Sequence, residues 1–414
     1  MIFTTVWFLL FSLGVLLLLG LFPWPHSWRL LFVLCAAVIF YYHYAGIFGL
    51  LFIVGIAALV YLGGFVLSRG NSPRLALVLF LMIPLASLLY FKYTAFLGSS
   101  LIDAARINTG LILLRPIGDW LIQHKPTIIP LGISFFVFEF CHYLVDVSKG
   151  DKPIKKLIHF LTFALFYPRL AAGPIVRYQQ ILPQLENLQG PTQKDYLEGA
   201  FRLVIGFLKK FMLADPVATL IERAYPSQNV LVGQDVVVLS VLLYIRIYMD
   251  FSGYSDMAIG LGRFLGIQLP ENFRFPFLAT SPSDFWRRWH ISLSTWIRDY
   301  IYIPLGGNRV PAWQKPINSL IAMGLCGLWH GAAWNFFFWG ILHGIYLLGG
   351  NIARKILIPA DLYFRDRQGV GRIYGGSKVL LGGVITQGLV CFSWIIFFYP
   401  LDQALVITRK LLVW

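Results

Sequence analysis

The segment PINSLIAMGLCGLWHGAAWNFFFWGILHGIYLLGGNIA, from Pro316 to Ala353, contains 38 consecutive residues without a charged side chain. As one continuous α-helix it would be about 57 Å long, whereas the hydrocarbon core of a membrane is about 30 Å thick. The segment must therefore turn. The two glycines of GLWHG predict that the turn lies within GLWHGAAW, at 327–334.

His330 lies near the middle of this segment, 15 residues after Lys315, or about 22 Å along a helix. An ionisable side chain at that depth indicates function, and a structural histidine bonded to a carbonyl is the alternative interpretation. A neutral imidazole takes a proton from an alcohol and returns it to a leaving group, as acyl transfer from a thioester requires. The flanking glycines would let a substrate approach closely. His343 would lie roughly 220° away on a continuous helix, which predicts a packing role.

The composition excludes an ordinary water-soluble enzyme. Of the 414 residues, 58% are hydrophobic and 13% are charged, against about 25% charged in soluble domains. The net charge of +15 comes from cations in loops between apolar runs, which favours cytoplasmic loops and anionic lipids over nucleic acid. The sequence contains no HExxH motif and no Cys–His cluster, so we predict no metal site.

Several apolar runs are long enough to cross a membrane. One further run, Leu30–Tyr42, is either a short span or half of a re-entrant hairpin, and Pro84 is expected to interrupt one of the spans. The predicted spans are Ile2–Leu21, Ile47–Leu67, Leu75–Phe91 and Val379–Phe398.

The middle of the chain places polar residues in apolar surroundings, which predicts that it encloses something polar. Glu139 and His142 are two of them. Asp250 and Asp256, in DFSGYSDMAIGLG, could be cation or proton sites of a transporter. Alternatively, they cap a helix break at Ser252–Gly253 and pair with Arg246 or Arg263.

A second region, DFWRRWHISLSTWIRDYIYIPLGG at 284–307, combines arginines and tryptophans around His290. Ser281 as N-cap and Pro282 at the first helical position predict an amphipathic helix running toward Tyr300. Arg and Trp together suit a membrane interface, where His290 would be solvated. The other interpretation is that this helix folds back and brings His290 to a substrate path.

The order of these motifs resembles the membrane-bound O-acyltransferase (MBOAT) family. The resemblance rests on YMDFSGYSDMAIGLGRFLGIQLPENFRFPFLATSPSDFWRRWHISLSTWIRDYIYIPLGGNR at 248–309 and GLWHGAAWNFFFWGILHG at 327–344. Shorter matching stretches lie at 130–150, 166–185 and 391–398. The sequence is most similar to the branch that acetylates alginate, and the proteins of D-alanyl transfer to teichoic acid are more distant relatives.

The resemblance implies an all-α polytopic membrane protein, with a ring of roughly 9 to 12 transmembrane and re-entrant helices around a central tunnel. One acyltransferase domain would cover 1–414, with N-terminal spans at 1–98, a catalytic core at 127–350 and a C-terminal span and terminal helix at 378–414. The family histidine of GLWHG maps onto His330, and that of FWRRWH onto His290; both are expected to be catalytic. The expected substrate-binding residues are Trp286, Arg287, Arg298, Trp329, Asn335 and Asp250.

The implied function is transfer of an acyl group, expected to be acetyl, from a cytoplasmic thioester across the bacterial inner membrane. The acceptor would be hydroxyls of an extracellular polysaccharide or cell-wall glycan, or a secreted acyltransferase partner protein. The donor would be acetyl-CoA or an acyl carrier protein, with no bound cofactor. Alternatives are D-alanyl transfer to teichoic acid and a membrane transporter, although we find no pair of similarly broken helices of the kind that transporters have.

Basic residues predict the cytoplasmic side and a means of attracting an anionic donor. For any single lysine, orientation in the membrane without donor contact is an equally good explanation. The lysines are Lys149, Lys152, Lys155, Lys156, Lys209 and Lys210.

Overall fold

The computed structural model describes residues 2–22, 24–69, 73–170, 173–225, 231–365 and 370–412. Within these ranges the regular structure is entirely helical, which confirms the all-α prediction. The helices are α1 (Val6–Leu21), α2 (His26–Arg69), α3 (Pro73–Leu88), α4 (Thr94–Ile107), α5 (Leu114–Gln123), α6 (Ile133–Ser148), α7 (Leu157–Leu165), α8 (Tyr178–Glu186), α9 (Gln193–Phe207), α10 (Asp215–Ala224), α11 (Gly233–Phe264), α12 (Pro282–Arg288), α13 (Ile291–Ile297), α14 (Gln314–His330), α15 (Trp334–Arg365), α16 (Val370–Phe398) and α17 (Leu401–Arg409).

Five helical stretches among the described residues are long and apolar enough to cross a membrane, and a shorter apolar helix, Val6–Leu21, precedes them. This confirms a multi-pass membrane protein. The five stretches are His26–Arg69, Arg74–Ile107, Gly233–Phe264, Trp334–Arg354 and Ser377–Phe398.

Two predicted boundaries have different outcomes. Helix α2 contains a kink at Gly46, whose φ of 66° is in the left-handed region that glycine tolerates. The kink separates the two apolar runs that the sequence distinguishes. Pro84, by contrast, does not interrupt its span, because α3 continues past it through a π-helical turn at Leu89–Tyr93 into α4.

The chain divides into two compact units, one formed by residues 1–204 and 254–270 and the other by 205–253 and 271–414. In the first unit, α6 buries Glu139, which forms an ion pair with buried Arg169. His142 is fully buried and contacts the carbonyl oxygen of Phe138 through Nδ1. The prediction that these polar residues face protein rather than lipid is therefore confirmed.

Helices α9 and α11 approach closely within the first unit, because a Cβ on Gly199 or Gly260 would lie only 3.0 Å or 2.7 Å from the other glycine's carbonyl oxygen. Asp256 lies on this face and accepts a hydrogen bond from Arg202 at 2.6 Å. Helix α11 is continuous through 250–256, so the predicted break at Ser252–Gly253 is wrong. Asp256 is held by Arg202 of the neighbouring helix.

The second unit contains the two regions that the sequence singles out. The uncharged segment breaks where predicted: α14 ends at His330 and α15 begins at Trp334. Ser281 caps α12 as predicted, with its Oγ accepting the N–H of Asp284 at 3.1 Å. The prediction of a single amphipathic helix running toward Tyr300 is wrong, because α12 ends at Arg288 and α13 begins only at Ile291.

Candidate active site

The hairpin of α14 and α15 is held together by glycines. A Cβ on Gly327 or on Gly340 would lie 3.1 Å from the other's Cα, and it would overlap a carbonyl oxygen of the facing helix. The two helices therefore cross in near backbone contact, as small residues allow. This crossing fixes the turn that carries His330.

The glycines beside His330 do not open the backbone to a substrate, contrary to the sequence-based expectation. A Cβ on Gly331 would overlap the ring of Phe336, and a Cβ on Gly327 would overlap the Phe336 backbone. The space that these glycines leave is filled by protein. Their role is to let α14 end and α15 begin within three residues.

His330 is surrounded by aromatic rings. The distances from the centroid of its ring are 5.0 Å to Trp329, 5.3 Å to Trp339 and 5.4 Å to Phe397. Trp339 is fully buried and meets the imidazole perpendicularly. The imidazole therefore lies in surroundings of low polarity, where electrostatic interactions are strengthened.

His290 lies between α12 and α13 with φ 42° and ψ 54°, a left-handed conformation that is rare for non-glycine residues. It is 1% exposed, which excludes the interpretation of a solvated interfacial histidine. Its ring centroid is 6.2 Å from that of His330 and 5.9 Å from that of Trp329. The two histidines that the sequence identified thus come together in one site.

Asn272 supports the strained turn at His290. Its Oδ1 lies 3.2 Å from Nδ1 of His290 and accepts hydrogen bonds from the backbone N–H and the hydroxyl of Ser292, at 3.3 Å and 2.8 Å. Its backbone carbonyl accepts the N–H of Ile291 at 2.9 Å. Strained residues persist where the surroundings over-determine them, and such residues cluster at functional sites.

Burial lowers the pKa of His290 well below its ordinary value, and the nearby charge of protonated His330 lowers it further. The desolvation cost falls on the charged form, so the imidazole of His290 is neutral near pH 7. A neutral imidazole has one nitrogen able to accept a proton.

A cluster of three buried tryptophans, Trp286, Trp339 and Trp394, adjoins the histidines. The Trp339 centroid lies 6.0 Å from Trp286 and 5.6 Å from Trp394. His343 packs against Trp339 at 4.7 Å, and its Nε2 contacts Oγ of Ser393 at 3.0 Å. Its placement beside the site was missed, because the angular argument assumed a continuous helix.

Two of the predicted substrate-binding residues lie at this site: Trp286 in the tryptophan cluster and Trp329 beside both histidines. Asn335 has a supporting position, because its Nδ2 donates to the carbonyl oxygen of Phe397, whose ring packs on His330. Arg287 and Arg298 are exposed, and Arg298 forms a two-point pair with Asp299 at 2.7 Å and 3.1 Å. No contact brings either arginine to the histidines among the contacts that the structure describes.

Asp250 forms an ion pair with Lys210 at 2.7 Å, and Lys210 also contacts Asp215 at 2.6 Å. The alternative interpretation, in which Asp250 pairs with Arg246 or Arg263, is therefore wrong. Arg246 lies over the ring of Phe398, and Arg263 bonds Asp195 in the other unit. The residue after Asp250 is Phe251, whose ring contacts His290 edge-on at 4.6 Å.

The class of protein that this helical membrane fold and paired-histidine site define is an O-acyltransferase. The chain belongs to the MBOAT, membrane-bound O-acyltransferase, family, whose model matches residues 143–371. It is 37% identical over 409 residues to the "Probable alginate O-acetylase AlgI" of Pseudomonas aeruginosa. That alignment covers 96% of this chain and 72% of the relative.

Other relatives carry related activities in their names. The "Peptidoglycan O-acetyltransferase" of Helicobacter pylori is 36% identical over 66% of this chain and 55% of its own length. The "Teichoic acid D-alanyltransferase" of Bacillus subtilis is 28% identical over 64% of this chain and 68% of its own length. The chain thus matches between about half and three quarters of the length of these curated relatives.

Proposed function

We propose that the chain transfers an acetyl group from a thioester to a hydroxyl of a polysaccharide or cell-wall glycan, with His330 as the general base. The observation that carries the proposal is the pair of imidazoles, buried His290 and half-buried His330, with centroids 6.2 Å apart. Membership of the MBOAT family and the names of the relatives support acyl transfer over the transporter alternative.

In the proposed reaction the unprotonated nitrogen of His330 takes the proton of the acceptor hydroxyl. The hydroxyl oxygen forms a bond to the thioester carbonyl carbon, and the carbon–sulfur bond then breaks. The proton passes from His330 to the leaving sulfur, so the products are an ester and a thiol. His290 is the second catalytic residue of this proposal, with Trp286 and Trp329 at the substrate.

The chemistry around the histidines favours an uncharged acyl group over D-alanine. Among the contacts that the structure describes, the side chains around them are aromatic or neutral, namely Trp329, Trp339, Phe397, Phe251 and Asn272. A D-alanyl group carries an ammonium ion, which is costly to bury without a partner carboxylate. Asp250, which precedes Phe251, is paired with Lys210.

The donor is proposed to be acetyl-CoA or an acyl carrier protein that reaches the site from the cytoplasmic side of the bacterial inner membrane. The same proposal includes a tunnel through the ring of helices. It also includes a secreted protein that receives the acyl group. Exposed lysines of the 148–156 loop are suited to attract an anionic donor: Lys149, Lys152, Lys155 and Lys156. Lys210 is not suited to this, because it is paired with two carboxylates.

Reconstitution of the full chain in proteoliposomes tests this function. Radiolabelled acetyl-CoA, or an acetylated acyl carrier protein, is supplied with alginate or peptidoglycan oligosaccharides. Label that appears in an alkali-labile ester on the glycan, or in an ester on a co-reconstituted secreted partner, supports the proposal. If both donors leave every hydroxyl acceptor unlabelled while labelled D-alanyl carrier protein is used, the acetyl assignment is wrong.

A further inference from the structure

The hydrogen bonds of Asn272 determine which nitrogen of His290 carries the proton. The backbone N–H of Ser292 can only donate, so the Asn272 atom that it faces is the carbonyl oxygen and not the amide nitrogen. A carbonyl oxygen can only accept. Nδ1 of His290, which lies 3.2 Å from the same oxygen, is therefore the donor of that contact.

A neutral imidazole carries one N–H, so the proton on Nδ1 leaves a lone pair on Nε2. Nε2 of His290 is buried and has no hydrogen-bond partner in the part of the chain that the structure describes. A buried acceptor without a donor costs about 1–3 kcal/mol. An unsatisfied buried nitrogen of this kind indicates a functional role. At this site, that role is for Nε2 to accept a proton or a hydrogen bond.

Resting on the function proposed above, we propose that Asn272 is a positioning residue, which holds His290 as the Nδ1–H tautomer so that Nε2 is the accepting nitrogen. In this form His290 accepts a hydrogen bond from the acceptor hydroxyl or from the imidazole of His330. It has no N–H to offer to the oxyanion that develops on the acyl carbon. The donor for that oxyanion is another group.

Of the side chains that the structure places around His290, Asn272 is the one that sets its tautomer. Phe251, from α11, and Trp329, from α14, present aromatic rings to it. His330 is the titratable group whose charge acts on its pKa. Asp250, next to Phe251, forms an ion pair with Lys210.

The tautomer is measured directly by NMR of the full chain with nitrogen-isotope-labelled histidine, in lipid nanodiscs at neutral pH. The chain has eight histidines, and the signal of His290 is assigned by its loss in His290→Gln. The expected spectrum shows a pyridine-type Nε2, coupled to both ring carbon-bound protons, and a protonated Nδ1. A protonated Nε2 in the wild-type protein overturns the proposal, whether or not the protein transfers acetyl groups.

Activity measurements separate positioning from a purely structural role. Asn272→Leu removes the acceptor, and kcat is expected to fall about 100-fold with little change in KM, as when a histidine adopts the wrong tautomer. Asn272→Asp keeps an acceptor and adds a negative charge, which stabilises the imidazolium. The acidic limb of its kcat profile is therefore expected to move to higher pH, with more activity retained than in Asn272→Leu.

Asn318 provides the matched control, because it is also a buried asparagine of the second unit, and its Nδ2 donates to the carbonyl oxygen of Leu305 at 2.9 Å. Asn318→Asp is expected to lower the unfolding temperature without moving the pH profile. If the pH profile of kcat is the same for Asn272→Asp and the wild type, Asn272 does not position His290. The proposed function is unaffected by that result as long as the wild type transfers acetyl groups.

Discussion

The indole ring of Trp339 stands perpendicular to the imidazole of His330, with an interplanar angle of 90° and a centroid distance of 5.3 Å. The two residues come from opposite arms of the hairpin, nine positions apart. Trp339 is fully buried and also contacts Trp394. It therefore forms a rigid wall on one side of the proposed base.

This wall predicts that Trp339 limits the size of the acyl group. Trp339→Leu leaves unfilled volume beside His330, so the ratio of kcat/KM for butyryl-CoA to that for acetyl-CoA is expected to rise about tenfold. Trp313→Leu, at an exposed tryptophan, is the control and leaves the ratio unchanged. An unchanged ratio in Trp339→Leu, with the variant folded, would show that another surface sets the acyl length.

The crossing of Gly327 and Gly340 predicts a large effect of a single methyl group. Gly327→Ala forces α14 and α15 apart, and is expected to lower the free energy of unfolding by at least about 1–3 kcal/mol, with loss of acyl transfer. Gly388→Ala, on α16 with open space around it, is expected to be neutral or to stabilise by up to about 1 kcal/mol. Thermal unfolding in detergent compares the two, and equal stability of the variants would contradict the close crossing.

The depressed pKa of His290 predicts a pH dependence of stability. In the unfolded chain the imidazole titrates near its ordinary pKa of about 6.5, whereas in the folded protein it stays neutral. As the pH falls below that value, the unfolded state binds a proton that the folded state does not, and stability decreases. His290→Ala is expected to reduce this loss of stability on acidification. The same variant should lower kcat/KM at least about tenfold, or about 1.4 kcal/mol in transition-state binding.

The lysines of the 148–156 loop predict a salt effect on donor use. Replacing Lys149, Lys152, Lys155 and Lys156 by glutamine is expected to raise the KM for an anionic thioester and to flatten its dependence on salt. Acetyl-pantetheine, which lacks the phosphates of CoA, is the control donor and should show little change. A donor KM independent of salt in both proteins would limit these lysines to orienting the chain.

The sequence predicted the features of this site that follow from the length of the uncharged segment and from the depth of His330 in the membrane. The uncharged segment from Pro316 to Ala353 is too long for one span, which located the break at His330. The sequence could not show what fills the space beside a glycine, because Phe336 reaches Gly331 only through the tertiary packing of the hairpin.

The role of Asn272 also lay outside local patterns. It precedes His290 by 18 residues, and only the fold brings the two side chains together. The left-handed conformation of His290 is likewise absent from the sequence pattern, because the cap at Ser281 and the proline at Pro282 predicted one continuous helix through this stretch. For Asp250 and Asp256 the sequence signalled a need for partners, and the fold supplied Lys210 and Arg202 instead of the expected arginines.

The most direct test of the account is acyl transfer by purified His330→Ala in proteoliposomes, measured with radiolabelled thioester donor and hydroxyl acceptor. His124→Ala, at an exposed histidine that directly follows α5, is the matched control. The account predicts that His330→Ala inserts and unfolds like the wild type but transfers no acyl group above background, whereas His124→Ala keeps full activity. Near-wild-type transfer by folded His330→Ala would contradict the assignment of His330 as the base.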